Sequence, residues 1–330
     1  LKITYFFRKQ RPEYNSIEEL FGGIIKRMEE KEEVDQVHVP LSGAKPWVLF
    51  KNVKFAKKHH GEINHITGDI QYIGIVLNDR TVLTIHDVYS VITGNWFKRW
   101  YLRYFWFYLP AKRVKLITTI SEYSKNELVK VIPFASHKIK VVHNPYRLEL
   151  LEKKRQWKGL KFELPATVLI VGTKKNKNLQ RIIPALKDLN VKVRILGRLN
   201  AVIEDLLNEN EIDYTNYFNL SYDEVIDLYL NSHILCFPSL YEGFGMPIIE
   251  AQALGIPVIT SNLGAMKEVA DGSACLVNPH DVNDIRDAVI RVMNNGNYRD
   301  FLIEQGYENI KRFDPEEIAN QYLELYREIV

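Results

Sequence analysis

The chain has little that would tie it to a disulfide framework, a metal or a membrane span. Its 330 residues include two cysteines, Cys236 and Cys275, both set in apolar stretches. They read as buried, reduced thiols of a cytosolic protein. No D-x-D occurs, which removes the simplest sequence argument for a divalent cation on a diphosphate. His59, His60 and His65 have no cysteine companions and lack zinc-site spacing, so no metal is expected. No segment reaches the roughly 18–20 apolar residues needed to cross a bilayer. The opening LKITYFF is too short for a signal-peptide core and runs into Arg8 and Lys9. A cytoplasmic location is therefore expected. A formal net charge of +3 is too mild to demand nucleic acid, though it permits an anionic ligand or membrane surface.

What is present is a rhythm of short β-branched runs alternating with longer helical patterns, the signature of parallel sheets covered by helices. Strands are predicted at 2–7, 35–39, 63–66, 82–85, 116–120 and 139–142, with helices near 16–32, 45–60, 96–109 and 122–132. After a charged interval the pattern restarts, with strands at 166–171, 191–196, 213–218, 234–237, 257–260 and 274–277. The reading is α/β: two facing, doubly wound, Rossmann-like domains with a deep cleft between them, since such sheets bind ligands beyond the carboxyl ends of their strands. The expected boundaries are 1–146 for the first domain, a linker at 147–163, and 164–310 for the second. A C-terminal helix at 311–330 follows. Pro315 suits the first turn of that helix and Glu316 and Glu317 its positive end. Periodicity does not say whether it packs back on the first domain.

Two segments of the second half carry chemistry. VGTKKNKNLQ (171–180) leaves a strand through Gly172 and leads into a helix, so backbone amides with Lys174, Lys175 and Lys177 would suit a phosphate or diphosphate. A solvated basic loop fits the same residues, and the P-loop spacing is absent. In SLYEGFGMPIIEAQALGIPVITSN (239–262), Gly243 and Gly245 keep a turn low in bulk, so amides can approach an oxygen-rich ligand. Pro247 opens a helix that should carry Glu250 in its first turn, stabilised by the helix end. Glu242 and Glu250 could both accept hydrogen bonds from sugar hydroxyls, the plain alternative being a capped helix with an exposed Glu242. In the first half, His86 and Asp87 follow a strand, where an active-site pair or a simple loop hydrogen bond would both fit. The stretch WFKRWYLRYFWFYLP (96–110) stripes Trp96, Trp100, Tyr104 and Tyr108 beside Arg99 and Arg103. Ordinary packing with partial exposure is the favoured reading, with a membrane interface, a greasy acceptor or a subunit contact as alternatives.

On these residues the chain resembles the retaining glycosyltransferases of family 4 (glycosyl transferases group 1, GT-B fold). The most specific element is the glutamate pair E-G-F-G-M-P-I-I-E, from Glu242 to Glu250. KNL (177–179), LGAMKEVADGSACLVNPHD (263–281), TIHD (84–87) and TTISEYSK (118–125) add to it. The resemblance implies transfer of a hexose-type sugar from a nucleoside-diphosphate sugar, UDP or GDP undecided, to an acceptor hydroxyl of a cell-envelope glycan or glycolipid. No other cofactor is implied. Glu250 would hold the ribose hydroxyls. Glu242, with Gly243 and the backbone of Phe244, Gly245 and Met246, would meet the donor sugar or its distal phosphate. Lys177 would neutralise the diphosphate beside Gly172. His86 would lie near the transferred sugar, with Asp87 orienting its loop. Family members commonly carry arginine where this chain has Thr173, which shifts that work to Lys177, helped by Lys174 or Arg198. The loop 8–16 replaces the glycine-rich loop of many relatives, with Arg8 and Arg11 as acceptor contacts and Trp100 and Arg103 as further ones. A peripheral contact with the inner face of the membrane is the accompanying expectation. The competing readings are a sugar-nucleotide epimerase and a non-catalytic nucleotide- or glycan-binding subunit of the same fold.

Overall fold

A computed structural model describes residues 1–10, 16–92, 95–156 and 161–330. They form two compact units, one made of Leu1–Pro145 with Asp314–Val330, the other of Tyr146–Phe313. In the first, strands β1 (Lys2–Phe7), β2 (Glu33–His38), β3 (Ile63–Ile66), β4 (Thr81–Ile85), β5 (Leu116–Thr119) and β6 (Ile139–Val141) make one sheet. Its order is β2-β1-β3-β4-β5-β6, parallel throughout. The second unit holds β7 (Ala166–Val171), β8 (Val191–Leu196), β9 (Tyr214–Tyr217), β10 (Ile234–Phe237), β11 (Val258–Ser261) and β12 (Cys275–Val277). Its order is β12-β11-β10-β7-β8-β9, again all parallel. Every predicted strand is present, with ends displaced by at most two residues.

The central strands are buried on both faces, so they read as mainly apolar runs and not as alternation, although β3 also buries Asn64 and His65. In the first unit, one face packs Phe6, Ile66, Leu83, Ile85 and Ile117 under the helix Pro46–His59 and the segment 103–113. The other packs Ile3, Tyr5, Phe7 and Val82 against Phe21, Ile24 and Ile25 of the helix Ser16–Glu29. The same cluster takes in Ile318, Tyr322 and Tyr326 of the helix Pro315–Glu328. The helix at the chain's end is therefore part of the unit built from its beginning. Asp314 caps it, accepting from the N–H groups of Glu316 at 2.9 Å and Glu317 at 3.3 Å.

The aromatic stretch departs from expectation. It is a helix at Trp96–Leu102, a π-helical stretch at Arg103–Tyr108 and a helix at Leu109–Arg113. Pro110 has no N–H to offer the preceding turn, so one regular helix cannot run through it. Residues 95–100 are all exposed, Trp96 by 78%, and packing is left to Trp106 and Phe107. Among the described residues no helix is long and apolar enough to cross a membrane. Nor is any group of three or more His, Cys, Asp or Glu placed to hold a metal ion. Cys236 and Cys275 are free and buried, and burial pushes the Cys236 thiol up to about 12.

Candidate active site

Read outward from β7, the strand order of the second unit is 3-2-1-4-5-6, and its switch point lies between β7 and β10. Ligands of such sheets bind beyond the carboxyl ends of the strands at that point. The two chemically loaded segments leave those two strands. After β7, Gly172 takes φ +91°. A Cβ there would lie 2.8 Å from Cε of Lys177, so glycine lets the lysine fold back over its own backbone. A 3₁₀ turn, Lys175–Lys177, brings the chain to Asn178, which is buried in the left-handed region at φ 67°. The Asn178 side chain donates to the carbonyls of Pro238, 3.0 Å, and Pro279, 2.7 Å, pinning the start of the helix Leu179–Leu186 to the loop after β10.

That anchoring joins residues 65 apart in sequence. Lys177 Nζ donates to Glu242 Oε1 at 2.7 Å and lies 4.5 Å from the centre of the Phe237 ring. Asn176 Nδ2 donates to the Tyr241 carbonyl at 2.9 Å and to Glu242 Oε1 at 3.2 Å. Both charged side chains keep about a sixth of their surface exposed, 17% for Lys177 and 16% for Glu242. The pair is thus shielded yet reachable by a ligand. Next, Gly245 at φ +119° turns the chain into the helix Met246–Ala253. Phe244 is buried with its ring 5.5 Å from that of Phe313.

Glu250 requires a correction. The helix begins at Met246 and has no acidic residue in its first turn, so Glu250 stands in the second and gains little from the helix end. It is held by Tyr229, whose hydroxyl donates to Glu250 Oε2 at 2.9 Å. Burial, with the carboxylate beside it, raises the Tyr229 pKa well above its ordinary value, so the phenol remains a donor. Thr173 Oγ1 donates to the Arg198 carbonyl at 2.7 Å, while the Arg198 guanidinium lies over Phe218. The loops after β7 and β8 are tied together there by a neutral bond.

Comparisons of sequence and of structure give the family and the fold. The profile "Glycosyltransferase Family 4" matches residues 26–150, and "Glycosyl transferases group 1" matches 152–309. This chain belongs to glycosyltransferase family 4. The transferase is 25% identical over 277 residues to the O-antigen chain mannosyltransferase B of Escherichia coli, covering 76% of this chain and 70% of that one. It is 29% identical over 226 residues to the O-antigen chain mannosyltransferase RfbU of Salmonella typhimurium, covering 65% and 61%. Among solved structures, HepE of Anabaena, in complex with UDP and glucose, superposes with TM-score 0.77 at 15% identity over 99% and 100% of the two chains. Sucrose-phosphate synthase of Thermosynechococcus elongatus gives 0.78 at 17% over 99% and 98%. These likenesses are of the GT-B fold.

In the transferase's first unit, the switch point falls between β1 and β3. Arg8 leaves β1 and reaches Glu18 at 3.0 Å and Asp69 at 2.6 Å, so its charge is engaged within the unit. Arg11 lies outside the described residues. His86 follows β4, and its Nε2 is 2.7 Å from the Thr67 carbonyl. A carbonyl can only accept, so Nε2 carries the proton and Nδ1 is the ring's acceptor. Asp87 accepts from the N–H of Tyr89 at 2.8 Å, turning the loop that carries His86. Arg103 donates to the Val131 carbonyl at 2.9 Å, and Trp100 stacks on Tyr104 in the exposed aromatic row. Both contacts are made along the aromatic segment and at the end of the helix Glu122–Val131, not at the loop that carries His86. Asn176, Asn178 and Tyr229 are the site residues that sequence reasoning misses. The first two are visible there only as polar residues next to Lys177, and Tyr229 only as one apolar position of a helix.

Proposed function

We propose that this transferase moves a hexose from a nucleoside-diphosphate sugar to an acceptor hydroxyl with retention at the anomeric carbon, in the assembly of a cell-envelope polysaccharide or glycolipid. The observation that carries the reading is the Lys177–Glu242 contact at the β7–β10 switch point. It sets an ammonium for a diphosphate beside a carboxylate for sugar hydroxyls, with Gly172 and Gly245 opening the backbone on either side. In the reaction the bond from the anomeric carbon to the diphosphate oxygen breaks and that oxygen keeps the electron pair. Lys177 and nearby amides stabilise the charge as it develops. The acceptor oxygen bonds to the same face of the oxocarbenium-like carbon, and its proton passes to the departing phosphate oxygen. Glu250, oriented by Tyr229, accepts from the ribose hydroxyls. His86, with Nδ1 as its acceptor, serves the transferred sugar. The names of the Escherichia coli and Salmonella relatives support a hexosyl donor, and the Anabaena neighbour, solved with UDP and glucose, supports a nucleotide-bound one.

Thermal unfolding in the presence of UDP-, GDP- and ADP-sugars tests the reading. A ligand at a hundred times its Kd adds about 2.7 kcal/mol of stability. One donor should raise Tm clearly above the others. Glu242→Ala should keep the shift given by the free nucleoside diphosphate but lose transfer. No shift with any donor would overturn the assignment.

A further inference from the structure

The second unit carries a pocket of about 360 Å³ at the amino ends of β10 and β11, the edge of the sheet opposite the Lys177–Glu242 pair. Ligand pockets run from roughly 300 to 1,000 Å³. His233 and Ile256 line it just before the two strands. Lys154 comes from the helix Leu148–Gln156, and Arg299 and Tyr307 from the helix Gly296–Asn309. Gly255 completes that wall just beyond the helix Met246–Ala253, at φ +73°. A glycine after a helix end is ordinary, but what stands over this one is not. A Cβ there would lie 2.1 Å from the Tyr307 hydroxyl and 3.0 Å from Lys154 Nζ. The missing side chain thus lets a phenol and an ammonium converge on one point.

Neither group has a hydrogen-bond or ion-pair partner among the described residues. The neighbouring Lys153, by contrast, reaches Asp227 at 3.5 Å and Asp223 at 3.8 Å. Arg299 donates through Nη1 to the carbonyls of Val292, 2.8 Å, and Met293, 2.7 Å, and lies 3.7 Å from the centre of the Phe162 ring. Its Nε and Nη2 have no acceptor among the described residues. His233 is committed to the fold. Its Nδ1 accepts from the Thr167 N–H at 2.8 Å, which leaves Nε2 to donate to the Lys161 carbonyl at 3.1 Å. Burial lowers its pKa, so it adds no charge at neutral pH. Lys154 and Arg299 therefore outweigh Asp300, the carboxylate in the wall, while Phe162, Leu230 and Ile303 supply an apolar side. The three terminal oxygens of a phosphomonoester can accept from ammonium, phenol and guanidinium together, where a carboxylate offers two.

We propose that this pocket is a second ligand site, taking a small phosphomonoester with its phosphate over Gly255 and its body against Phe162 and Ile303. The site goes beyond the transfer reaction and shares no residue with the Lys177–Glu242 or Tyr229–Glu250 pairs. Calorimetric titration of the whole chain with glycerol 3-phosphate, ribose 5-phosphate and glucose 6-phosphate tests it. Inorganic phosphate and glucose serve as the two halves of the ligand, and at least one ester should bind more tightly than either. Lys154→Met keeps the stem, removes the ammonium and should weaken that binding by at least about tenfold. Tyr307→Phe should weaken it several-fold. Both variants should melt at the wild-type temperature, since neither group has a partner to lose. Lys177→Met should bind the ester as the wild type does, which tells this pocket from a phosphate held at the β7–β10 switch point. Ile303→Trp, which fills the apolar side, should weaken the ester more than inorganic phosphate. The proposal is overturned if no ester binds, if Lys154→Met and Tyr307→Phe bind unchanged, or if Lys177→Met abolishes binding. Inorganic phosphate binding as tightly as every ester would also overturn it, because the anion alone would then be the ligand.

Discussion

Lys177 and Glu242 neutralise one another across 2.7 Å, so a diphosphate bound there, as proposed, would compete with the carboxylate for the same ammonium. Thr173 sharpens the dependence on that lysine. Its hydroxyl is spent on the Arg198 carbonyl, and it brings no charge to the loop after β7. Lys177→Met should therefore weaken nucleoside-diphosphate binding by about 1.5–3 kcal/mol, the range for a hydrogen bond to a charged group. Binding of the nucleoside alone should barely change. Calorimetric titration of both ligands separates the cases, and equal losses for the two would make Lys177 a structural residue. Gly172 acts one step earlier, by leaving room for the lysine. At φ +91°, with the Lys177 stem where a Cβ would stand, Gly172→Ala should cost about 1–3 kcal/mol of stability in backbone strain. Denaturant unfolding measures that cost. The same variant should share the diphosphate defect of Lys177→Met, because the displaced stem carries the ammonium with it.

The helix Pro315–Glu328 shows how an element is held by more than its apolar stripe. Tyr326 donates to the Tyr5 hydroxyl at 2.9 Å and meets Nδ1 of His65, whose Nε2 lies 2.7 Å from Thr84 Oγ1. Tyr326→Phe removes the atom that serves both partners and leaves buried polar groups behind, a loss of about 1–3 kcal/mol in urea melts. Burial, with His86 adding repulsion, lowers the His65 pKa from 6.5 to about 3. Between those values the unfolded chain binds a proton that the folded chain refuses. Stability should therefore fall as pH drops below about 6.5, by up to about 1.4 kcal/mol per unit from this residue, and be indifferent to it above. Melts from pH 8 to 4.5 should show this extra slope in the wild type and not in His65→Gln. None of this network is readable in the sequence. There His65 is one of nine histidines, and the residues it meets, Tyr5, Thr84 and Tyr326, come from two other strands and the last helix. The strands themselves are legible, because a strand buried on both faces is mostly apolar and ends where glycine, proline or charge begins. The Lys177 and Glu242 segments are legible as candidates for the same local reason. Their contact is not, since it depends on Asn178 spanning two distant loops.

At the scale of the whole chain, the two units are built differently from the same kind of sheet. The second is one continuous stretch, Tyr146–Phe313, and contains both partners of the Lys177–Glu242 pair together with Glu250 and Tyr229. The first is interrupted, because Ile318, Tyr322 and Tyr326 return to cover Ile3, Tyr5 and Phe21. An amphipathic pattern at 315–328 can announce that a face is buried, but not against which of two sheets, so this discontinuity is invisible in the sequence. It has an unequal consequence for truncation. A fragment spanning Tyr146–Phe313 keeps its own core and should fold alone, melting cooperatively and gaining Tm with the nucleoside diphosphate of the true donor. A fragment ending at Pro145 loses the cover over Tyr5 and Phe21 and leaves the His65 network half-satisfied. It should be molten or insoluble, with lost near-ultraviolet circular dichroism and dye binding to exposed apolar surface. Co-expressing residues 314–330 as a separate peptide should restore part of its order, because the contacts are with the unit's own first strand and helix. Equal stability of the two fragments would show that the last helix is an accessory. Failure of the second fragment to bind nucleotide while folded would move the donor contacts outside the residues that this unit supplies.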